Sequence, residues 1–242
     1  MRERVGPMPF GAGPVAQECA PHWRGTRFWR VDLDGPDEPD AQDWLSPTEV
    51  ARAHRFVFPR DARRYRIAHV ALRQLLFTHA GVQPGAEFEL GAHDKPVLCG
   101  AGAVGFNLSH SGGTALIGIG ACTEIGVDIE KVHAIDDIKA LAERNFSAGE
   151  NEELRNTPAE RLLQAFLSGW TRKEACLKAL GTGLSIEPGC FETGLAAVQR
   201  CVTIPTDAGP VDVCVRSLDL GPGMLAAVAH TVRAHSHGAK PR

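Results

Sequence analysis

The chain has 242 residues, of which 43% are hydrophobic and 23% are charged, a composition typical of a globular protein with one large domain or two small ones. The net charge of −3 excludes a strong attraction to nucleic acid or anionic membranes, and no apolar run is long enough to span a bilayer. The seven cysteines form no Cys-x-x-Cys pair and the N-terminus lacks a secretory signal, so we expect free thiols and a cytoplasmic protein.

The first half begins with a predicted strand and two helices. The strand is expected at 28–34, after a flexible N-terminal segment over residues 1–25. The capping-box sequence 46–49 begins one helix, and a longer helix over 61–80 ends before Gly81. Six arginines cluster across the junction of the helices, which is typical of a solvated face or of a cradle for phosphates; they are Arg52, Arg55, Arg60, Arg63, Arg64 and Arg66.

A hairpin follows these helices. Its predicted strands cover 104–108 and 114–120, and the loop 109–113 between them reads Ser-His-Ser-Gly-Gly. Backbone N–H groups and an imidazole in such a loop could bind an anion, although serines there also serve only to shape a turn.

The second half repeats this order of elements. It has a strand at 125–130, capping boxes at 147–150 and 157–160, a long helix that ends at Gly181, and three further strands at 198–204, 211–217 and 225–231. We therefore predict an α+β fold that is a pseudodimer of two similar halves, 26–122 and 123–232, with the site in the cleft between them and a basic tail over 233–242. Chance recurrence of common capping boxes is the alternative.

Three carboxylates in the second half stand where apolar side chains are expected. Asp128 and Glu130 project from one face of a strand, and Glu174 interrupts the apolar stripe of the long helix. The alternatives are a solvated strand face and a helical pair of Glu174 with Lys178. If the three acids converge, they suit a single Mg²⁺ or Mn²⁺ site better than zinc, and Lys178 suits a phosphate.

These motifs together resemble the Sfp-type 4′-phosphopantetheinyl transferases. The matching pieces, in the order of that family, are Arg55-Phe56 with Asp61 and Arg64, Lys95-Pro96, the run 106–111, the run 126–130, and the run 170–178. The last two in tandem are specific to this superfamily, whereas the others are weak singly. The family is also a pseudodimer, with the 4′-phosphopantetheinyl transferase fold.

The resemblance implies a holo-[acyl-carrier-protein] synthase activity. The phosphopantetheine arm of coenzyme A would pass to a serine of an apo acyl or peptidyl carrier protein, in fatty acid, polyketide or non-ribosomal peptide synthesis. Adenosine 3′,5′-bisphosphate would leave. The duplicated chain would act as a monomer. Alternatives are a non-catalytic homologue that binds a carrier protein or coenzyme A, and a Mg²⁺-dependent phosphohydrolase.

The resemblance also implies roles for single residues. Asp128, Glu130 and Glu174 would hold the metal, with Glu174 also the base and Lys178 on the phosphates. The coenzyme A contacts would further include Ser109, His110, Arg52, Lys95 and Pro96.

This sequence departs from the family pattern at a few positions. Arg52 stands where lysine is expected, Tyr65 replaces a small hydroxyl residue, and His93-Asp94 replace glycine before Lys95. The first half lacks a glutamate that would match Glu174, so the resemblance implies one metal site.

Overall fold

Helices and antiparallel sheets make up the fold. The computed structural model describes residues 16–35, 43–91, 95–98, 104–121 and 124–232, which contain five α-helices and ten β-strands. The strands form two four-stranded sheets and one short pair, so the predicted α+β class is confirmed. None of the described helices is both long and apolar enough to cross a membrane.

The N-terminal half is a sheet covered by a long helix. In chain order it contains β1 (Ala16–Trp23), β2 (Thr26–Asp32), α1 (Pro47–Ala53), α2 (Pro59–Ala80), β3 (Glu89–Leu90), β4 (Pro96–Val97), β5 (Gly105–Ser111) and β6 (Thr114–Gly120). Four of the strands form an antiparallel sheet in the order β1-β2-β6-β5. The predicted capping box at the start of α1 is confirmed, and α2 ends at Gly81 with a left-handed φ of 68°.

The C-terminal half likewise combines a four-stranded antiparallel sheet with a long helix. It contains β7 (Ile125–Lys131), α3 (Ile138–Asn145), α4 (Ala148–Arg155), α5 (Ala159–Leu180), β8 (Arg200–Ile204), β9 (Val211–Leu218) and β10 (Met224–Val232). Its sheet has the order β7-β10-β9-β8, and α5 has 22 residues, as α2 has. Each half thus has one four-stranded sheet and one long helix ended by a left-handed glycine, while a two-fold relation between the halves stays a prediction.

Apolar clusters hold these elements together. Side chains of α2 pack on one face of the first sheet, and side chains of α5 pack on the second. A further cluster joins the two halves, because Phe28 and Leu116 of the first sheet pack with Ile125, Val127 and Ile129 of β7. Alternation along β7 therefore sends its apolar side chains into this junction and its acidic side chains toward the opposite face.

The N-terminal prediction needs correction. Residues 16–23, which fall in the segment expected to be flexible, form β1 and pair with β2. The sequence does not predict β1 because the segment is largely polar and contains Pro21. The pairing of β1 with β2 has two register shifts, which are tolerated at a sheet edge. Residues 1–15 and the tail over 233–242 lie outside the described residues.

Three other local predictions are wrong. The second-half capping box at 157–160 does not form, because Pro158 is the N-cap of α5 and makes no side-chain capping bond. The cysteines are not all free, since Cys201 and Cys214 lie opposite each other on β8 and β9 and form a disulfide. The Ser-His loop is not a loop, because β5 continues to Ser111 and only the glycines turn.

Candidate active site

The two halves meet along β5 and β7. The Asn107 side chain accepts a hydrogen bond from the Val127 N–H at 2.9 Å, and the Ser111 hydroxyl accepts one from the Lys131 N–H at 3.1 Å. Both contacts join residues 20 positions apart, so the strands run side by side in the same direction. Gly126 brings β7 against α5, because a Cβ there would overlap the carbonyl oxygen of Ala175.

Asp128 is the most deeply buried acid at this junction, with 4% of its surface exposed. Its Oδ1 accepts hydrogen bonds from Lys178 Nζ at 2.6 Å and from the Ser109 hydroxyl at 2.9 Å. Lys178 Nζ also donates to the Ser109 hydroxyl at 3.0 Å, which closes a triangle between β5, β7 and α5. The other carboxylate oxygen, Oδ2, is buried and has no hydrogen-bond partner among the described residues. A buried anionic oxygen without a donor is unfavourable, and a cation would relieve it.

Glu130 and Glu174 lie in the same electrostatic environment. Glu130 accepts a hydrogen bond from the Ser111 hydroxyl at 2.7 Å. Burial raises the pKa of Glu130, and the charge of Asp128 adds to this increase although the Ser111 hydroxyl opposes it. Burial also raises the pKa of Glu174, again reinforced by Asp128 and Glu130 and opposed by Lys178. The structure thus brings the three predicted acids and Lys178 together.

The acids are not arranged as a finished metal site. Within the described ranges, no group of three His, Cys, Asp or Glu side chains is placed so that it could already hold a metal ion. Lys178 and two serine hydroxyls hold Asp128 and Glu130, and like charges repel one another without a cation between them. The chemistry of the donors nevertheless fits a hard divalent cation, because three carboxylates share one electrostatic environment with a single ammonium and one carboxylate oxygen lacks a donor.

Cationic groups gather around His110 at the same junction. Burial lowers the pKa of His110, and the nearby charges of Lys178, His69 and Arg64 lower it further. His69 and Arg64 belong to α2, whereas Lys178 belongs to α5, so both halves contribute positive charge near this imidazole. Alternation along β5 directs His110 away from the face that carries Ser109.

Sequence reasoning missed His69, which is held by one contact with α1 and one within α2. Its Nδ1 lies 2.8 Å from Oε1 of Glu49, and its ring stacks on Tyr65 at 4.0 Å between centroids. Burial raises the pKa of Tyr65 to about 12, with the charge of Glu49 contributing. The signal in the sequence was the spacing of Tyr65 and His69 by one helical turn, which is too common to identify a site by itself.

Two predicted coenzyme A contacts lie on other elements. Arg52 is exposed on α1, with its guanidinium 5.7 Å from the centroid of the Tyr65 ring. Pro96 begins β4 and pairs with Leu90 of β3. Their role in ligand binding stays a prediction.

Lys95 binds backbone carbonyl oxygens of two other elements, β7 and α5. Its ammonium donates to the carbonyl oxygens of Ile125 at 2.9 Å, Lys178 at 2.7 Å and Ala179 at 3.2 Å. The first of these carbonyls begins β7 and the other two lie in the last turn of α5, where unpaired carbonyls favour a cation. Lys95 therefore ties the first half to both elements that carry the acids.

We expect the Lys95→Met variant to be less stable than the wild type by about 1.5–3 kcal/mol, the range for hydrogen bonds to a charged donor. Urea unfolding measures the difference, and Lys139→Met, an exposed lysine on α3, serves as the matched control. Unchanged stability combined with weaker coenzyme A binding would contradict this structural role and support the predicted ligand contact instead.

Lys173, which directly precedes Glu174 in α5, is a structural residue. Only 1% of it is exposed, its Nζ lies 2.7 Å from Oε2 of Glu150, and it donates to the carbonyl oxygens of Pro188 and Phe191. Lys173 and Lys178 point to different faces of α5, so only Lys178 reaches the acids.

Comparison with known proteins identifies the family of the chain. Residues 124–223, which include β7 and α5, match the model of the 4′-phosphopantetheinyl transferase superfamily. The chain is 39% identical to the 4′-phosphopantetheinyl transferase HetI of Nostoc sp. over 164 residues, covering 65% of this chain and 69% of HetI. It is 36% identical to the transferase psf-1 of Bacillus pumilus over 178 residues, covering 73% and 75% of the two chains. It is 26% identical to the transferase Sfp of Bacillus subtilis over 189 residues, covering 77% and 83%. A buried acid, two further carboxylates and a lysine thus lie within the region that these transferases share, and the chain belongs to the 4′-phosphopantetheinyl transferase superfamily.

Proposed function

We propose that the protein transfers the 4′-phosphopantetheine arm of coenzyme A to a serine of an apo acyl or peptidyl carrier protein, with adenosine 3′,5′-bisphosphate as the leaving group. The observation that carries the proposal is the buried Asp128 carboxylate, which has one oxygen without a donor and stands beside Glu130, Glu174 and Lys178. Phosphoryl transfer needs charge neutralisation and positioning more than a covalent nucleophile, and this junction supplies both.

A divalent cation completes the proposed site. Asp128, Glu130 and Glu174 would hold Mg²⁺ or Mn²⁺, because hard cations prefer carboxylate oxygens and the donor set contains no thiolate or imidazole. When bound, the cation would neutralise negative charge on the pyrophosphate of coenzyme A.

The side chains near this site have separate roles in the proposed transfer. Glu174, a partly buried carboxylate in the electrostatic environment of Asp128 and Lys178, accepts the proton of the carrier serine. The serine oxygen forms a bond to the phosphorus of the phosphopantetheine arm, the pyrophosphate P–O bond breaks, and its electron pair leaves with the bisphosphate. Lys178 places positive charge beside the reacting phosphates, and Ser109 orients both Lys178 and Asp128.

The nucleotide end of coenzyme A would lie toward the first half. Arg64 and Lys178 supply positive charge near His110 that would suit a phosphate, and the neutral imidazole favoured by the lowered pKa of His110 could donate a hydrogen bond to it. Because both halves contribute to this junction within one chain, a monomer would suffice for activity.

Intact-mass spectrometry of a panel of apo carrier proteins tests the proposal. Each carrier is incubated with the protein, coenzyme A and Mg²⁺, and a carrier that is a substrate should gain the mass of one phosphopantetheine arm. Chelation by EDTA should abolish the gain, and added Mg²⁺ or Mn²⁺ should restore it. A non-catalytic homologue would modify no carrier, and a phosphohydrolase would release phosphopantetheine to water without a carrier adduct; either result would overturn the proposal.

A further inference from the structure

The turn between α1 and α2 exposes three consecutive apolar side chains. Phe56, Val57 and Phe58 are 38%, 85% and 63% exposed. Among the described residues only two other large hydrophobic side chains are comparably exposed, Leu90 and Val198, and they lie on other segments. Scattered exposed hydrophobic residues are ordinary, but three in succession form a patch that solvent alone does not favour.

The patch has a defined shape. The Phe56 ring packs against the Tyr65 ring with centroids 5.3 Å apart, which fixes the turn to α2. Phe58 is extended, with φ −100° and ψ 127°, as expected for a residue before proline. Beside the turn lies a cavity of about 540 Å³ whose apolar floor includes Leu45 and Val50. A partner side chain could enter this cavity without rearrangement of the backbone.

Positive charge surrounds the patch. Arg52, Arg55 and Arg60 are exposed, and Arg63 and Arg66 line the adjacent cavity. The acids in this region are already engaged, because Glu49 is buried against Arg73 and His69, and Asp61 pairs with Arg60 at 3.2 Å. The surface is therefore apolar at its centre and cationic at its edge, although the chain as a whole has a net charge of −3.

The turn also lies close to the proposed active site. Arg64, in the second turn of α2, lies beside the turn between β5 and β6, because a Cβ placed on Gly113 would be 3.5 Å from its Nη2. Ser111, two residues before Gly113, donates a hydrogen bond to Glu130. The exposed turn directly precedes the first turns of α2 in the chain. A protein that presents a serine to Glu174 and Lys178 would thus find this patch at the edge of the same site.

We propose that residues 54–60, the α1–α2 turn, form the docking surface for the carrier protein, and that the carrier contributes an acidic face with apolar residues at its centre. This inference rests on the proposed function. Apolar contact with Val57 and Phe58 provides affinity, and attraction between the arginines and the acidic carrier provides the association rate and its salt dependence.

Steady-state transfer kinetics with an apo carrier that the wild type modifies test this surface. The double variant Val57→Ser, Phe58→Ser removes the apolar centre, and serine at the N-cap of α2 should support the helix. Its KM for the carrier should rise about tenfold or more, as expected when central contacts of an interface are lost, while its KM for coenzyme A stays within about twofold. The matched control is Val198→Ser, which removes a residue of similar exposure (60%) from the other half.

A charge reversal provides an independent measurement. Arg55→Glu should raise the KM for the carrier at low salt, and the difference from the wild type should shrink as ionic strength increases. Arg161→Glu, an exposed residue in the first turn of α5, is the control, since glutamate is acceptable at a helix N-terminus.

The outcomes separate this inference from the proposed function. If the wild type modifies no carrier, the proposed function fails. If the wild type is active and the double variant has an unchanged KM for the carrier, the docking surface is wrong. Binding of the wild type to phosphatidylserine vesicles, lost in the double variant while carrier kinetics are unchanged, would show that the patch contacts a membrane and would overturn the inference.

Discussion

Replacing Glu174 by glutamine should lower kcat for carrier modification by about a thousandfold or more, the combined effect of losing a base and a ligand for the cation. Glutamine keeps the shape of the side chain but can neither take up the serine proton nor contribute negative charge. The native environment already disfavours the charged form of Glu174, because burial and the carboxylates of Asp128 and Glu130 raise its pKa. Removing this charge should therefore leave the fold intact or slightly more stable.

Three measurements make this result specific. Intact-mass kinetics measure kcat, urea unfolding checks the fold, and calorimetry with coenzyme A alone, without divalent cation, checks that the ligand still binds. Glu160→Gln, an exposed glutamate at the start of the same helix, is the matched control and should retain activity. A Glu174→Gln variant with kcat within tenfold of the wild type would remove Glu174 from the reaction.

Replacing Glu150 by glutamine should destabilise the protein by about 3–5 kcal/mol, the cost of breaking a buried ion pair. Glu150 is fully buried and accepts hydrogen bonds from the N–H groups of Ser147, Thr193 and Gly194, at 2.9, 2.8 and 3.0 Å. It also pairs with Lys173 at 2.7 Å. The amide group of glutamine would point N–H groups at these donors and leave the Lys173 charge buried without its partner.

Urea or thermal unfolding measures this loss. Glu152→Gln, an exposed glutamate of α4, should change the stability by less than about 0.5 kcal/mol. The double variant Glu150→Leu, Lys173→Met should recover part of the loss, because it leaves neither charge unpaired. A loss below about 1 kcal/mol in Glu150→Gln would mean that Lys173 does not depend on this carboxylate.

Several features could be predicted from the sequence because they depend on neighbouring residues. The capping boxes of α1 and α4 form as predicted. The long helix α2 ends at Gly81 and the long helix α5 ends at Gly181, also as predicted. The period of two along β7 correctly placed Asp128 and Glu130 on one face. The hairpin of β5 and β6 was also found, although its serines belong to the strand and not to the turn.

Other features could not be predicted because they depend on distant residues. Lys178 bonds to residues 50 and 69 positions away, and Lys95 reaches carbonyls as far as 84 positions along the chain. The missed strand β1 has little pattern of its own and is identified by its pairing with β2. Sequence spacing gives no information on which remote groups meet a side chain.

The two lysines of α5 show the difference between what the sequence predicts and what the tertiary structure decides. The sequence by itself determined that three acids and a nearby lysine lie on one strand and one helix, because hydrophobic periodicity and local capping set these elements. Its motifs, and not this periodicity, carried the resemblance to a transferase family. Only the tertiary structure decided that Lys178 meets Asp128 and Ser109 while Lys173 is buried against Glu150. The reason is that the face of a helix is a local property, whereas the free energy of a buried charge depends on the partner that the rest of the fold places opposite that face.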